Sequence, residues 1–416
     1  MIRFAVPAVL LLIICSGTFL QAEAEEDYTV SLVTSGPGSE VYLWWGHIAL
    51  LVEDHSRGRD YLYDFGVFSF ETENFLTNFI LGRLWYMSYR SSGEAGIRRT
   101  IQEDRRIRIQ VLRFPPGNKL ELIRELERRV LPENREYLYE YYRDNCATRI
   151  RDLLDEAYDG ELRRVSSARD AMTLRLQTRR FTGQNRFIEW LLMFLMSGNI
   201  DQEISGWEAM FLPSEIPGYM EKISFSDGRD ADTQAVVSDR IVHLPEHERN
   251  IPEVPGNPLP VPLGAGILAA GFLIAGRFLQ GKAVILVEVI FRLILVSGAL
   301  LGSVLFFLSF FTDHAVTHGN WNLLLLNPLH WISTFVPYRL GEKNSPEQIR
   351  IRDFLLFLPW LVSIDTSLIM IITRFFGLPS QDVGQAIAFL LPLALGICGP
   401  WILRVLKPGR SLSIVN

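Results

Sequence analysis

Residues 283–311 read AVILVEVIFRLILVSGALLGSVLFFLSFF, and Glu288 and Arg292 are the only charged side chains among them. Coiled as a helix, this run would be about 44 Å long, more than the ~30 Å hydrocarbon core of a bilayer. It is apolar on every face, so it predicts a membrane span rather than the one-sided stripe of a soluble helix. Four more apolar stretches accompany it, at 262–280, 322–338, 354–376 and 384–405. The third is short, and a tilt or partial insertion is expected for it. Counting five spans puts Arg277 and Lys282, then Arg339, Lys343, Arg350 and Arg352, then Arg404, Lys407 and Arg410 on one side. The opposite loops, 312–321 and 377–383, contain no Lys or Arg. Cations gather in cytoplasmic loops, so residues 262–406 read as a five-helix transmembrane domain with a cytoplasmic tail at 407–416. Glu288, Arg292 and Asp365 are expensive in hydrocarbon and are expected to face the bundle interior or one another, or to sit closer to an interface than these bounds draw them.

The chain before Pro262 has a different composition. Residues 1–24 carry Arg3, an apolar run from Phe4 to Leu20, and Ala22-Glu23-Ala24, the pattern of a cleaved secretory signal. Residues 25–225 read as a soluble domain delivered across the membrane. Residues 226–261 are polar and then proline-rich (Pro252, Pro255, Pro258, Pro260), which predicts a linker. The net charge is -6, and the arginines alternate with acids, as in Glu121, Arg124, Glu125, Glu127 and Arg128. That pattern is a solvated helix face and gives no hint of a nucleic-acid partner, which would need clustered cations, so none is expected. Cys146 is the one cysteine of the soluble part, so neither a disulfide framework nor a cysteine zinc cluster can form there.

Within 25–225, residues 41–53 and 61–67 read as two strands around the polar turn 54–60. Residues 106–114 read as another strand, 117–131 as an amphipathic helix, and 134–158 as a longer helical region. The expected class is α+β. Two segments carry chemistry. The first is Trp44-Trp45-Gly46-His47-Ile48-Ala49-Leu50; the second is Tyr141-Tyr142-Arg143-Asp144-Asn145-Cys146-Ala147-Thr148-Arg149. Asp144 and Asn145 are good helix caps, which would set Cys146 in a first helical turn. Free N–H groups there stabilise a thiolate and can hold an oxyanion. A lone cysteine is as readily a small buried hydrophobe, and a lone strand histidine a satisfied surface group, so composition leaves both readings open.

The segments WGHIAL (Trp45–Leu50), YDFGVFSF (Tyr63–Phe70), PENREYLYEYYRDNCATRIRDLLD (Pro132–Asp155) and HGNWNLLLLNPL (His318–Leu329) together resemble the DUF4105 (Lnb) family of lipoprotein N-acyltransferases. The resemblance implies a circularly permuted papain-like fold, related to the NlpC/P60 and lecithin:retinol acyltransferase groups, in which the His strand precedes the Cys helix. It implies Cys146 as nucleophile and His47 as general base. Folding the hairpin about its turn sets Asp64 opposite Ala49, on the face of His47, so Asp64 is nominated to orient the histidine. Asp144 and Asn145 are its rivals, as cap or oxyanion partner, and Arg143 and Arg149 could meet a phosphate. The implied reaction moves an acyl chain from a membrane phospholipid, through a cysteine thioester, to the N-terminal amine of a diacylated lipoprotein. The enzyme would sit in the inner membrane with its catalytic domain in the periplasm. No cofactor is needed. His314 and His318 are spaced for zinc on a helix but lack a third ligand, so no metal is expected. With Asn320 and Asn322 they are candidates for holding headgroups at the bilayer surface. The rival reading is an envelope cysteine hydrolase, either a phospholipase or deacylase or a cell-wall peptidase of NlpC/P60 type.

Overall fold

The computed structural model describes residues 25–69, 71, 73–226, 233–336, 345–378 and 380–406. The expected signal segment, the cytoplasmic tail, Arg339 and Lys343 lie outside them. The chain divides into two compact units. One runs to Gln177 and takes in Glu203–Glu253; the other comprises Thr178–Gln202 and the chain from Val254.

The first unit is built on a seven-stranded antiparallel sheet. Its strands are β1 (Tyr28–Ser35), β2 (His47–Asp54), β3 (Arg59–Val67), β4 (Trp85–Ser92), β5 (Ile107–Leu112), β6 (Glu136–Leu138) and β7 (Val236–His243), in the spatial order β7-β5-β1-β2-β3-β4-β6. Helix α1 is Phe75–Leu81, α2 Gly93–Gln102, α3 Asn118–Arg129 and α4 Cys146–Ala157. Alternation along β2 sends Ile48, Leu50 and Val52 into the main core, where they meet Tyr63 and Phe65 of β3 and Ala147, Ile150, Leu153 and Leu154 of α4. The other face buries Ala49, Leu51 and Leu62 with Val33, Ile107 and Ile109.

Several expected elements need correction. The strand expected at 41–53 begins only at His47, because Val41–Leu43 form a 3-10 turn and Gly46 has φ 77°. The helical region expected at 134–158 is helical only from Cys146; Glu136–Leu138 pair with β4 instead. The expected linker 226–261 holds β7, which closes the sheet edge against β5. Its VVSDRIVH sequence does not alternate and is mostly exposed, as befits an edge strand.

The soluble–membrane boundary also moves, since Thr178–Gln202 pack with the second unit. Helix α5 (Arg186–Leu195) ends in carbonyls that need partners. Asn320 Nδ2 donates to Phe194 O (3.0 Å) and Leu195 O (2.9 Å), Asn322 Nδ2 to Phe194 O (2.8 Å), and Gln381 Nε2 to Met196 O (3.1 Å). At its start, buried Glu189 accepts from Arg179 Nε at 2.8 Å. A polar clasp of this kind links residues far apart in sequence and leaves no periodic signal.

The rest of the second unit contains α6 (Pro260–Gly276), α7 (Lys282–Phe311), α8 (Pro346–Phe375) and α9 (Gly384–Leu406). Among the described residues, α7 and α8 are the helices long and apolar enough to cross a membrane, with α6 and α9 as shorter apolar helices. The third apolar stretch is not one helix. It is two short pieces, Asn322–Leu325 and His330–Thr334, broken at Asn327-Pro328. Proline removes an N–H and disfavours helix in the residue before it. This broken segment runs antiparallel along α7: Thr317 O accepts from Ser309, Trp331 Nε1 donates to Ser303, and Thr334 O accepts from Arg292. From Ser309 to Arg292 is about 26 Å of helix, most of a bilayer core. The freed backbone groups are answered inside the protein, as they must be in lipid. Ser363 Oγ donates to Leu325 O (2.6 Å), and Asn327 Oδ1 accepts from Leu329 N (3.0 Å). Glu288 pairs with Arg292 at 2.9 Å, whereas Asp365 lies on an exposed face of α8.

Candidate active site

His47 opens β2, and the ladder pairs Ala49 with Asp64. Side chains alternate, so His47 and Asp64 share a face. His47 Nε2 and Asp64 Oδ1 are 2.6 Å apart, with side-chain exposures of 26% and 22%. This bond occupies Nε2 and leaves Nδ1 to exchange a proton with a nucleophile.

Cys146 begins α4, and Asn145 shapes that beginning. Asn145 Oδ1 accepts from Ala147 N and Thr148 N, each at 2.9 Å, while Thr148 Oγ1 accepts from Asn145 N at 2.8 Å. This is a capping box. Asn145 Nδ2 donates to Tyr141 O (2.8 Å) and to Phe211 O (2.9 Å). Both amide hydrogens are therefore used, so Asn145 has no donor left for an oxyanion. Its place is the cap. The Cys146 N–H is the first-turn donor that this cap leaves open.

Gly66 sets the distance between the two elements. Its φ is +108°, and a Cβ there would lie 3.3 Å from Cys146 Cβ and 3.9 Å from His47 Cε1. Sulfur and imidazole thus converge where β3 has no side chain. Burial pulls the His47 imidazolium down, but the Asp64 carboxylate and a charge on Cys146 outweigh it and hold its pKa well above the usual histidine value. Cys146 itself is 9% exposed. The three groups can therefore form a thiol, a base whose charged form is favoured once it has taken a proton, and a carboxylate that orients the base.

The remaining candidates fall elsewhere. Asp144 is taken up by Arg149, whose Nε and Nη2 donate at 2.6 and 2.8 Å. Arg149 also lies 3.5 Å from the Tyr137 ring centroid. Arg143 and Arg149 line an open polar cavity of about 480 Å³ with Arg128, Arg129 and Asn134. His314, His318, Asn320 and Asn322 belong to the second unit, and three of them have contacts within it. Asn320 and Asn322 terminate α5, and His318 Nε2 lies 2.9 Å from Thr312 O. Among the described residues, no group of three or more His, Cys, Asp or Glu side chains is placed to hold a metal ion. Sequence reasoning missed Gly66. A glycine inside an aromatic strand is itself the signal of a close approach.

Two family models match the chain. One, described as the Lnb N-terminal periplasmic domain, matches residues 19–180; the other, described as the Lnb transmembrane domain, matches residues 257–350. No curated protein and no solved structure matches.

Proposed function

This chain belongs to the Lnb family, a periplasmic domain joined to a transmembrane domain, and on that premise we propose that it is a lipoprotein N-acyltransferase of the bacterial inner membrane. Its periplasmic domain would be a permuted papain-like one, with the His strand before the Cys helix. The observation that carries the reading is the Cys146–His47–Asp64 arrangement around Gly66.

In the first half-reaction, His47 takes the Cys146 proton and the thiolate attacks the ester carbonyl of a phospholipid. A C–S bond forms, and the tetrahedral oxygen receives the Cys146 N–H. The C–O bond then breaks, and the His47 imidazolium returns its proton to the departing alkoxide. Lysophospholipid leaves, and the acyl group stays as a thioester. In the second half-reaction, the free α-amine of a diacylglyceryl-cysteine at a lipoprotein N-terminus attacks that thioester. A C–N bond forms, the C–S bond breaks, and His47 passes the amine proton to the sulfur. The products are an amide and the free thiol. Asp64 keeps the imidazole oriented and balances its positive charge through both halves.

Complementation of a strain lacking its own N-acyltransferase tests the proposal. Mass spectrometry of lipoprotein N-termini should find a third acyl chain with the native protein and none with Cys146→Ala. Triacylation by Cys146→Ala would overturn it. Release of free fatty acid without amide formation would instead favour a cysteine hydrolase.

A further inference from the structure

Helix α1, FLTNFIL, is apolar at five of its seven positions, yet none of its residues is buried. Leu76, Phe79 and Ile80 are 68%, 45% and 44% exposed. Their spacing puts them on one helix face. From that face a row of rings leads inward. Phe79 and Phe75 have centroids 6.2 Å apart, Phe75 and Phe68 6.2 Å, Phe68 and Tyr86 4.9 Å, and Tyr86 and Tyr139 4.1 Å. These are packing distances for aromatic pairs. At the inner end, burial and then negative charge at Cys146 push the Tyr139 hydroxyl pKa up; Tyr86 is raised by burial, Tyr141 and Cys146. Tyr139 in turn stands 5.9 Å, centroid to centroid, from Tyr141, whose carbonyl accepts from Asn145 Nδ2 at 2.8 Å, one residue before Cys146.

We propose that the row Phe79–Phe75–Phe68–Tyr86–Tyr139 is an acyl-chain subsite, which holds the fatty chain of the donor and lays its ester carbonyl at Cys146. This rests on the acyl-transfer reading above. The occupant follows from three features of the row. Its five side chains carry two hydroxyls and no charge, too few polar partners for a peptide backbone or a glycan, so it suits hydrocarbon. Its four steps amount to roughly 20 Å, enough for a chain that fills one leaflet, about half of a ~30 Å core. It also runs from an exposed apolar face toward the start of the Cys146 helix, by way of Tyr141 and Asn145, the two ends that a tethered acyl group must join.

The test uses the full-length protein in phosphatidylethanolamine/phosphatidylglycerol vesicles containing a phospholipid with a diazirine at its chain end. In Cys146→Ala, which cannot turn over, photolysis should label peptides spanning 68–86. Absence of label there, with label on the transmembrane helices, would overturn the subsite. A second measurement follows acylation of Cys146 by intact mass. The double variant Phe68→Ala/Phe75→Ala should be acylated about tenfold or more slowly by long-chain phospholipid, since each ring gives up buried apolar contact with the chain. Its acylation by p-nitrophenyl butyrate, in which the thiolate displaces p-nitrophenolate, should change by less than about threefold. Equal losses with both donors would mean that the rings only support the fold, and no loss with phospholipid would mean that the chain lies elsewhere; either refutes the subsite. Native protein labelled at the rings but never acylated at Cys146 would sink acyl transfer and leave the lipid subsite standing. Acylated native protein without ring labelling would do the reverse.

Discussion

Asn145 should matter as much for what it donates as for what it accepts. Its side chain is 4% exposed and makes four hydrogen bonds, two to the first turn of α4 and two to the carbonyls of Tyr141 and Phe211. Asn145→Ala removes the cap, worth about 1 kcal/mol. It also leaves the buried Phe211 carbonyl without its donor, at about 1–3 kcal/mol; the Tyr141 carbonyl is nearer solvent and can turn to water. The expected loss is therefore about 2–4 kcal/mol out of the 5–15 typical of a domain. Asn145→Ser keeps a cap and loses both Nδ2 links, of which the one to the buried Phe211 carbonyl is the costly one, so it should fall about 1–3 kcal/mol. Asn145→Asp keeps the cap and adds a charge favourable to the helix dipole, about 0.3–1 kcal/mol, but turns an acceptor toward two carbonyls. It should therefore be no more stable than Asn145→Ala. Amide hydrogen exchange at Ala147 and Thr148 reads this directly, with rates in Asn145→Ala rising roughly 30- to 1,000-fold if the opening is local. An Asn145→Asp protein with native exchange rates would refute the donor half of the argument, and Asn145→Ala within about 0.5 kcal/mol of native would refute all of it.

Other substitutions bear on the same framework. Gly66→Ala places a methyl 3.3 Å from Cys146 Cβ at φ +108°; it should cost about 1–3 kcal/mol in thermal unfolding and roughly 100-fold in Cys146 acylation, and a fully active variant would show that the spacing is unimportant. Asp64→Asn removes the charge that raises His47, so the alkaline limb of the acylation pH profile should move to lower pH; an unchanged limb would remove His47 as the acid. A histidine raised in the folded state contributes stability that is full below about pH 6.5 and lost as pH rises through its folded pKa, so Asp64→Asn should be most destabilised below about pH 6.5 and approach native in alkali. Asn320→Ala breaks four bonds of a 3%-exposed side chain and should lower the detergent-solubilised protein's thermal stability by about 2–4 kcal/mol without any lipid; an unchanged unfolding temperature would argue against its role in terminating α5.

What the sequence made legible was local. The apolar run at 283–311 is long enough to name its own environment, and α7 follows it closely. The hairpin turn at 54–60 fixes the β2–β3 register, and register determines which residues share a face, so Asp64 could be set opposite Ala49 before any coordinates. The failures were long-range. Edge strand β7 lies 124 residues beyond the end of β5 (236 less 112) and carries little core-facing pattern. Thr178–Gln202 reads as soluble sequence because α5 has a polar first turn, and the amides that end it come from 320, 322 and 381. Nothing within the helix announces them.

The candidate site divides in the same way. Asp144-Asn145 before an apolar helix is a cap signature, and it places Cys146 correctly in a first turn. It cannot say that the amide of Asn145 is already spent on Phe211, 66 residues later, and so cannot act on an oxyanion. The cap occupies only Oδ1; it is the Tyr141 and Phe211 carbonyls, by taking both Nδ2 hydrogens, that close the oxyanion role. That leaves the Cys146 N–H as the first-turn donor available to the reaction. The site's precision then rests on two residues with no reactive group. Asn145 fixes where the helix starts, and Gly66 lets β3 come close enough for sulfur and imidazole to meet. If that division is right, conservative changes at either position should slow Cys146 acylation while leaving the His47–Asp64 bond intact, which the imidazole proton resonance of His47 would register.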